Sequence, residues 1–131
     1  MSYDPTTTDS AIELRVPARL DAASTVRLVA ASLAADAGFT VDDVEDVRLA
    51  INEVFACAVV GNGSRPGTVV VRFDIGPSDL VVELSVADGV APIELDDLAG
   101  SILRSAVDEV RIEDRRVALT KHRRPSQLDD R

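Results

Sequence analysis

The sequence has 131 residues and a formal net charge of -9, with 46% hydrophobic and 28% charged residues, which suits one folded globular domain. The negative charge argues against direct binding to nucleic acid or to anionic membranes, because both present phosphate groups that would be repelled. No segment reaches the roughly 20 apolar residues that cross a bilayer, and a single cysteine excludes an internal disulfide, so we expect a cytoplasmic protein.

Both ends of the chain lack periodicity. Residues 1–10 are polar, and the stretch from Lys121 to the last residue is polar and mostly charged. Such segments are typical of flexible tails, so the folded domain is predicted to span 11–122, with tails at 1–10 and 123–131. At its start, apolar side chains take alternate positions from 12 to 16, which predicts a half-buried strand.

Two helices follow in the pattern. Apolar residues spaced three and four apart predict a first helix over 22–37, which Gly38 closes. Thr40 is a suitable N-cap for a second helix that runs to about residue 60. Its apolar stripe continues over five turns before a run rich in glycine and proline ends it.

The second half of the chain has strand periodicity. Residues 69–75 and 80–86 alternate around the turn 76–79 and predict a β-hairpin. A modest helical pattern that begins at Leu98 follows, and alternation over 110–119 predicts a closing hairpin. This order of elements favours a mostly antiparallel sheet with helices packed on one face.

Several segments resemble one family. Residues 44–58 (VEDVRLAINEVFACA) resemble the N-box helix of the GHKL-type ATPases, in particular the anti-sigma factor serine kinases of the RsbW and SpoIIAB kind. The strand that ends in Asp88 looks like the approach to that family's Asp-x-Gly-x-Gly adenine box, and 100–103 resembles its Gly-x-Gly-Leu lid. The resemblance covers 11–122 and implies an α+β fold, a two-layer sandwich of the Bergerat type that histidine kinases and Hsp90-like ATPases share.

The N-box resemblance implies a catalytic role for Glu53, as general base. Four residues later the family has an asparagine that ligates Mg²⁺ held by the nucleotide phosphates, and residues four apart share one helix face. Here that position is Cys57, a soft ligand that suits Mg²⁺ poorly. Asn52 does not replace it, because one residue along a helix turns the side chain by about 100°.

The adenine box implies that Asp88 accepts a hydrogen bond from the adenine amino group. The glycines that should follow at alternate positions are Val90 and Pro92, whose side chains obstruct close approach of the backbone to a nucleotide. Gly89 compensates in part if the loop is shifted by one residue. In the lid, Gly100 and Leu103 match the family.

Ile102 replaces the second glycine of the lid. The candidate site is therefore Glu53 as catalytic residue, with cofactor-binding positions at Asp88, Gly89, Gly100, Leu103 and Cys57. Plain structural roles stay open for three of them: Glu53 at the edge of a buried stripe, Asp88 in a turn and Cys57 in the core.

The resemblance implies an anti-sigma regulatory protein of a stress response, which binds a sigma factor and is countered by an anti-anti-sigma factor. The substitutions predict that binding of ATP and Mg²⁺ is weak or lost. The alternatives are an active ATP-dependent serine/threonine kinase that phosphorylates the anti-anti-sigma factor, and an interaction domain with an unrelated client. The first strand offers an edge through which the chain would form a homodimer.

Overall fold

The protein is an antiparallel sheet with helices on one face. The computed structural model describes residues 11–63, 65–87, 92–113 and 115–124. Its elements are β1 (Ile12–Pro17), a short 3-10 helix (Leu20–Ala22), α1 (Ala23–Asp36), α2 (Val41–Gly61), β2 (Thr68–Ile75), β3 (Asp79–Ala87), α3 (Asp97–Ala106), β4 (Glu109–Glu113) and β5 (Arg116–His122). The strand order is β1-β2-β3-β5-β4, and all neighbours are antiparallel. The predicted α+β fold is confirmed.

The core lies between the sheet and the helices. Alternate residues of the two central strands are fully buried, as the period of two requires, and they include Val71, Phe73 and Leu84. Across from them α2 contributes Ile51 and Phe55, which are also fully buried. The predicted strand and helix patterns therefore identified the two faces that pack together.

The central helix α2 begins at its predicted cap. The Thr40 hydroxyl oxygen accepts a hydrogen bond from the backbone N–H of Asp43 at 3.1 Å, which satisfies one of the free donors of the first turn. Helix α1 packs beside α2, and alanines line the buried side of both helices, with Ala30 and Ala50 fully buried. None of the helices in the described part of the chain is long and apolar enough to cross a membrane.

Lys121 lies within the predicted domain 11–122, and its side chain is buried although the sequence around it is polar and charged. Strand β5 runs to His122, and its alternation places Lys121 on the same buried side as Val117 and Leu119. The ammonium group lies 3.5 Å from a carboxylate oxygen of Asp43 and 3.3 Å from one of Asp46. It also donates a hydrogen bond of 2.7 Å to the carbonyl of Ala106.

The apolar stripe predicted for α3 is buried at Leu103 and Ala106 but not at Leu98. Leu98 was expected in that stripe, yet it is 70% exposed. The buried residues of α3 are Ala99, Leu103 and Ala106, which follow the spacing of four and three. Leu98 comes one position before Ala99 of this stripe, so its side chain is turned by about 100° from the stripe. It lines a cavity together with residues at the C-terminal end of α2.

Candidate functional site

A cleft opens between the C-terminal half of α2 and the segment that leads into α3. We call it the α2–α3 cleft; its volume is about 560 Å³, within the size range of small-molecule sites. Its α2 wall consists of Glu53, Ala56, Cys57, Val60 and Gly61. The facing wall consists of Pro92, Glu94, Leu95, Asp96, Leu98 and Ala99.

Helix geometry brings two predicted site residues together. Glu53 and Cys57 lie four positions apart on α2, and both line the cleft. Asn52 faces α1, where its side-chain oxygen accepts a hydrogen bond of 2.5 Å from the guanidinium of Arg27. Asn52 is therefore held away from the cleft and does not supply the missing amide ligand.

A cap and a close backbone contact fix the facing wall. The Asp96 carboxylate accepts a hydrogen bond of 2.7 Å from the backbone N–H of Ala99 and so starts α3. Ile93, only 4% exposed, anchors the preceding segment in the core. At the end of α2, a Cβ on Gly61 would lie 3.6 Å from the carbonyl oxygen of Pro92. Residues 92–96 thus lie close against α2.

The cleft disfavours the thiolate of Cys57. Burial raises the pKa of the Cys57 thiol, and the negative charges of Asp96 and Glu53 raise it further, while a backbone hydrogen bond from Asp96 acts in the opposite direction. Because thiolates are the reactive form of cysteine, this side chain is a weak nucleophile at neutral pH. Its raised pKa reflects burial first and the neighbouring carboxylates second.

We expect the alkylation of Cys57 to need a higher pH than that of N-acetylcysteine amide. The raised pKa leaves less thiolate at any pH below it. Rates of iodoacetamide labelling measured against pH give the midpoint, which separates the pKa from simple steric access. In Glu53→Gln the midpoint should move toward the free thiol, since one negative charge is removed. A wild-type midpoint at or below that of the reference amide would contradict the prediction.

Two of the other predicted residues, Gly100 and Leu103, line a different depression from Glu53 and Cys57. Gly100 and Leu103 line a second depression of about 400 Å³ between α3 and β4, which we call the α3–β4 groove. Leu103 is fully buried. Asp88 and Gly89 fall outside the described residues, so their adenine-binding role stays a prediction.

Sequence reasoning missed the facing wall of the cleft. Glu94, Asp96 and Leu98 all line it, although none was a candidate. One local signal was present, because an aspartate directly before a helix is a common N-cap and marks where α3 begins. No local pattern indicates that this helix start lies opposite Cys57.

The described residues provide no magnesium site at the position where the family has its metal-binding asparagine. The side chain four residues after Glu53 is a thiol, whereas Mg²⁺ prefers oxygen ligands in octahedral geometry. Within the described ranges no three His, Cys, Asp or Glu side chains form a group that would hold a metal ion. Nothing in this part of the cleft replaces the family's asparagine.

The antiparallel sheet, covered on one face by helices, is an α+β two-layer sandwich with a cleft beside its central helix. The sequence profile described as a histidine kinase-like ATPase domain matches residues 16–101, and the chain belongs to this family. The family implies ATP as the ligand.

Within this family, the chain is similar to serine-protein kinases called RsbW. The chain is 37% identical to the serine-protein kinase RsbW of Bacillus velezensis over 79 residues, which are 59% of this chain and 48% of the relative. It is 28% identical to RsbW of Bacillus cereus (strain AH187) over 92 residues, 70% of this chain and 56% of the relative. The chain thus spans about half the length of these curated relatives. The resemblance found in the sequence is confirmed.

A solved structure supports the fold. The crystal structure of the RsbU and RsbW domains of a Mycobacterium tuberculosis protein matches with a TM-score of 0.67 and 20% identity. The match covers 88% of this chain and 33% of that one. At this identity the likeness shows a shared fold.

Proposed function

We propose that this protein is an anti-sigma regulator that binds a sigma factor, is countered by an anti-anti-sigma factor, and has weak or lost ATP binding. Membership of the histidine kinase-like ATPase family and similarity to RsbW kinases support the regulatory class. The proposal therefore keeps the interaction role of such a regulator and removes the dependence on nucleotide.

The chemistry of the α2–α3 cleft supports the proposal that ATP binding is weak or lost. A triphosphate needs Mg²⁺ or basic side chains to balance its charge. The metal-ligand position is Cys57, and the described lining residues include Glu53, Glu94 and Asp96 but no lysine, arginine or histidine. Carboxylates without a cation repel phosphates, so this wall opposes nucleotide binding.

We expect a tagged copy expressed in the native host to capture a sigma factor that mass spectrometry identifies. Capture should be the same in lysates treated with apyrase and EDTA as in lysates supplied with Mg-ATP, because nucleotide is not required. Capture only with Mg-ATP would overturn the loss of nucleotide dependence. Recovery of neither a sigma factor nor an antagonist would overturn the anti-sigma function and favour a different client.

The kinase alternative rests on the position of Glu53, which lines the cleft as a base on α2 should. Its test is transfer of labelled γ-phosphate from ATP to the captured antagonist. Glu53→Gln is the control, because the amide cannot accept a proton. Transfer by the wild type that this variant loses would establish the kinase and reject our proposal.

A homodimer is part of the same proposal. Strand β1 pairs only with β2 and therefore leaves one edge of the sheet open in the described structure. Ile12 at its start is 41% exposed. Open edges of this kind pair readily with a second strand, and light scattering of the pure protein measures the resulting mass.

A further inference from the structure

Within the described residues, two exposed aliphatic side chains border the α2–α3 cleft. Val60 at the end of α2 is 71% exposed and Leu98 at the start of α3 is 70% exposed, and both line this cleft. Exposed aliphatic side chains that border one concave surface are characteristic of interaction sites more than of plain solvent-facing surface. Ala56, Leu95 and Ala99 extend the apolar lining between them.

The same cleft carries unbalanced negative charge. Glu53 and Glu94 take part in none of the ion pairs within the described ranges. The Asp96 carboxylate accepts a hydrogen bond from a backbone N–H, and it forms no ion pair with a cationic side chain within the described ranges. Burial is the main cause of the raised pKa of the Cys57 thiol, and the charges of Asp96 and Glu53 raise this pKa further. A ligand that brings positive charge is thus favoured, and an anionic one is opposed.

From these observations we infer that the α2–α3 cleft binds a peptide segment of a partner protein that presents a lysine or arginine beside an aliphatic side chain. The aliphatic group packs between Val60 and Leu98, and the cation meets Glu53 and Glu94. Burial of the two exposed side chains provides the contact area, and the carboxylates select the charge. The inference rests on the proposed function in one respect, namely that Mg-ATP does not occupy the cleft.

Two probes test the charge and the apolar requirement together. The peptide acetyl-Leu-Lys-Arg-Leu-Leu-amide carries both features, and acetyl-Leu-Glu-Glu-Leu-Leu-amide reverses the charge. Cys57 is the single cysteine of the sequence and lines the cleft, so protection from thiol labelling reports occupancy of this site. Fluorescence anisotropy of the labelled peptides measures affinity independently. We expect protection and binding with the basic peptide only, and weaker binding at high salt.

Exposed positions allow variants that leave the core intact. Glu94→Lys combined with Leu98→Ser should weaken binding of the basic peptide by about tenfold or more, since both recognition elements are removed. The matched control is Asp36→Lys with Leu28→Ser, an exposed pair on α1 of which Leu28 is 71% exposed. This control should bind like the wild type.

The outcomes separate the inference from the proposed function. Absence of both protection and binding with the basic peptide, equal binding by the cleft variant, or equal protection by the acidic peptide overturns the inference. Equal protection by spermine would show a small-amine site and also overturns it. If the cleft inference fails while the wild type still captures a sigma factor, the proposed function stands. If Mg-ATP protects Cys57 and the basic peptide does not, the cleft inference and the proposed loss of ATP binding both fail.

Discussion

Replacing Lys121 with methionine is expected to lower the free energy of unfolding by about 3–5 kcal/mol, because it leaves a buried carboxylate without its counter-ion. The side chains of Lys121 and Asp43 are 4% and 8% exposed, whereas Asp46 is 42% exposed. Asp43 therefore dominates the effect, although Asp46 lies slightly nearer. Urea unfolding measures the loss, and the melting temperature should fall on the order of 10–20 °C.

A second substitution distinguishes charge from packing at this site. Adding Asp43→Asn to Lys121→Met removes the unpaired charge and should recover more than half of the lost stability, since replacing both members of a buried pair is far less costly than removing one. Arg15→Met is the surface control. Its partner Glu13 and Arg15 itself are both largely exposed, so a change below about 1 kcal/mol is expected. A wild-type-like Lys121→Met would refute the buried ion cluster.

Replacing Leu103 with alanine is expected to cost about 2–5 kcal/mol, the usual range for deleting a buried leucine side chain. Leu103 is fully buried on α3 and belongs to the main core cluster. The family resemblance implied instead that it contacts a nucleotide as part of a lid. Urea unfolding decides between the two roles, because loss of a ligand contact alone would leave the stability of the free protein unchanged.

Two neighbouring controls make this result interpretable. Leu103→Met keeps the volume and should cost less than about 1.5 kcal/mol. Leu98→Ala, five residues earlier on the same helix and 70% exposed, should change stability by no more than about 0.5 kcal/mol. A Leu103→Ala variant as stable as Leu98→Ala would show that the side chain is not a core element, and the lid role would gain support.

Local pattern predicted most of the fold. The alternation in β2 and β3 identified a buried face that includes Val71 and Leu84, and the stripe of α2 through Ile51 identified the helix face that covers it. These predictions succeed because burial of one face imposes a period of two on a strand and 3.6 on a helix. In α3 the predicted stripe is buried at Leu103 and Ala106 but not at Leu98, because adjacent apolar residues at 98–99 and 102–103 leave the rotation of a short helix undecided.

The candidate site was predictable only in part. Glu53 and Cys57 share a helix face, so their spacing alone placed them together. Pro92, Glu94 and Asp96 come from a segment about 40 residues away along the chain, and no local rule states which part of α2 they face. Gly100 and Leu103 matched the lid motif, yet they line the α3–β4 groove and not the α2–α3 cleft.

The sequence by itself determined the family, the two layers and the loss of an amide ligand at Cys57, because each of these depends on residue type and short-range spacing. Only the tertiary structure decided that Lys121 is buried beside Asp43, and that Val60 and Leu98 line one acidic cleft. The physical reason is distance along the chain. Burial and charge balance depend on elements that are far apart in the sequence and pack together in the fold. No local sequence pattern specifies which side chains from these elements come into contact.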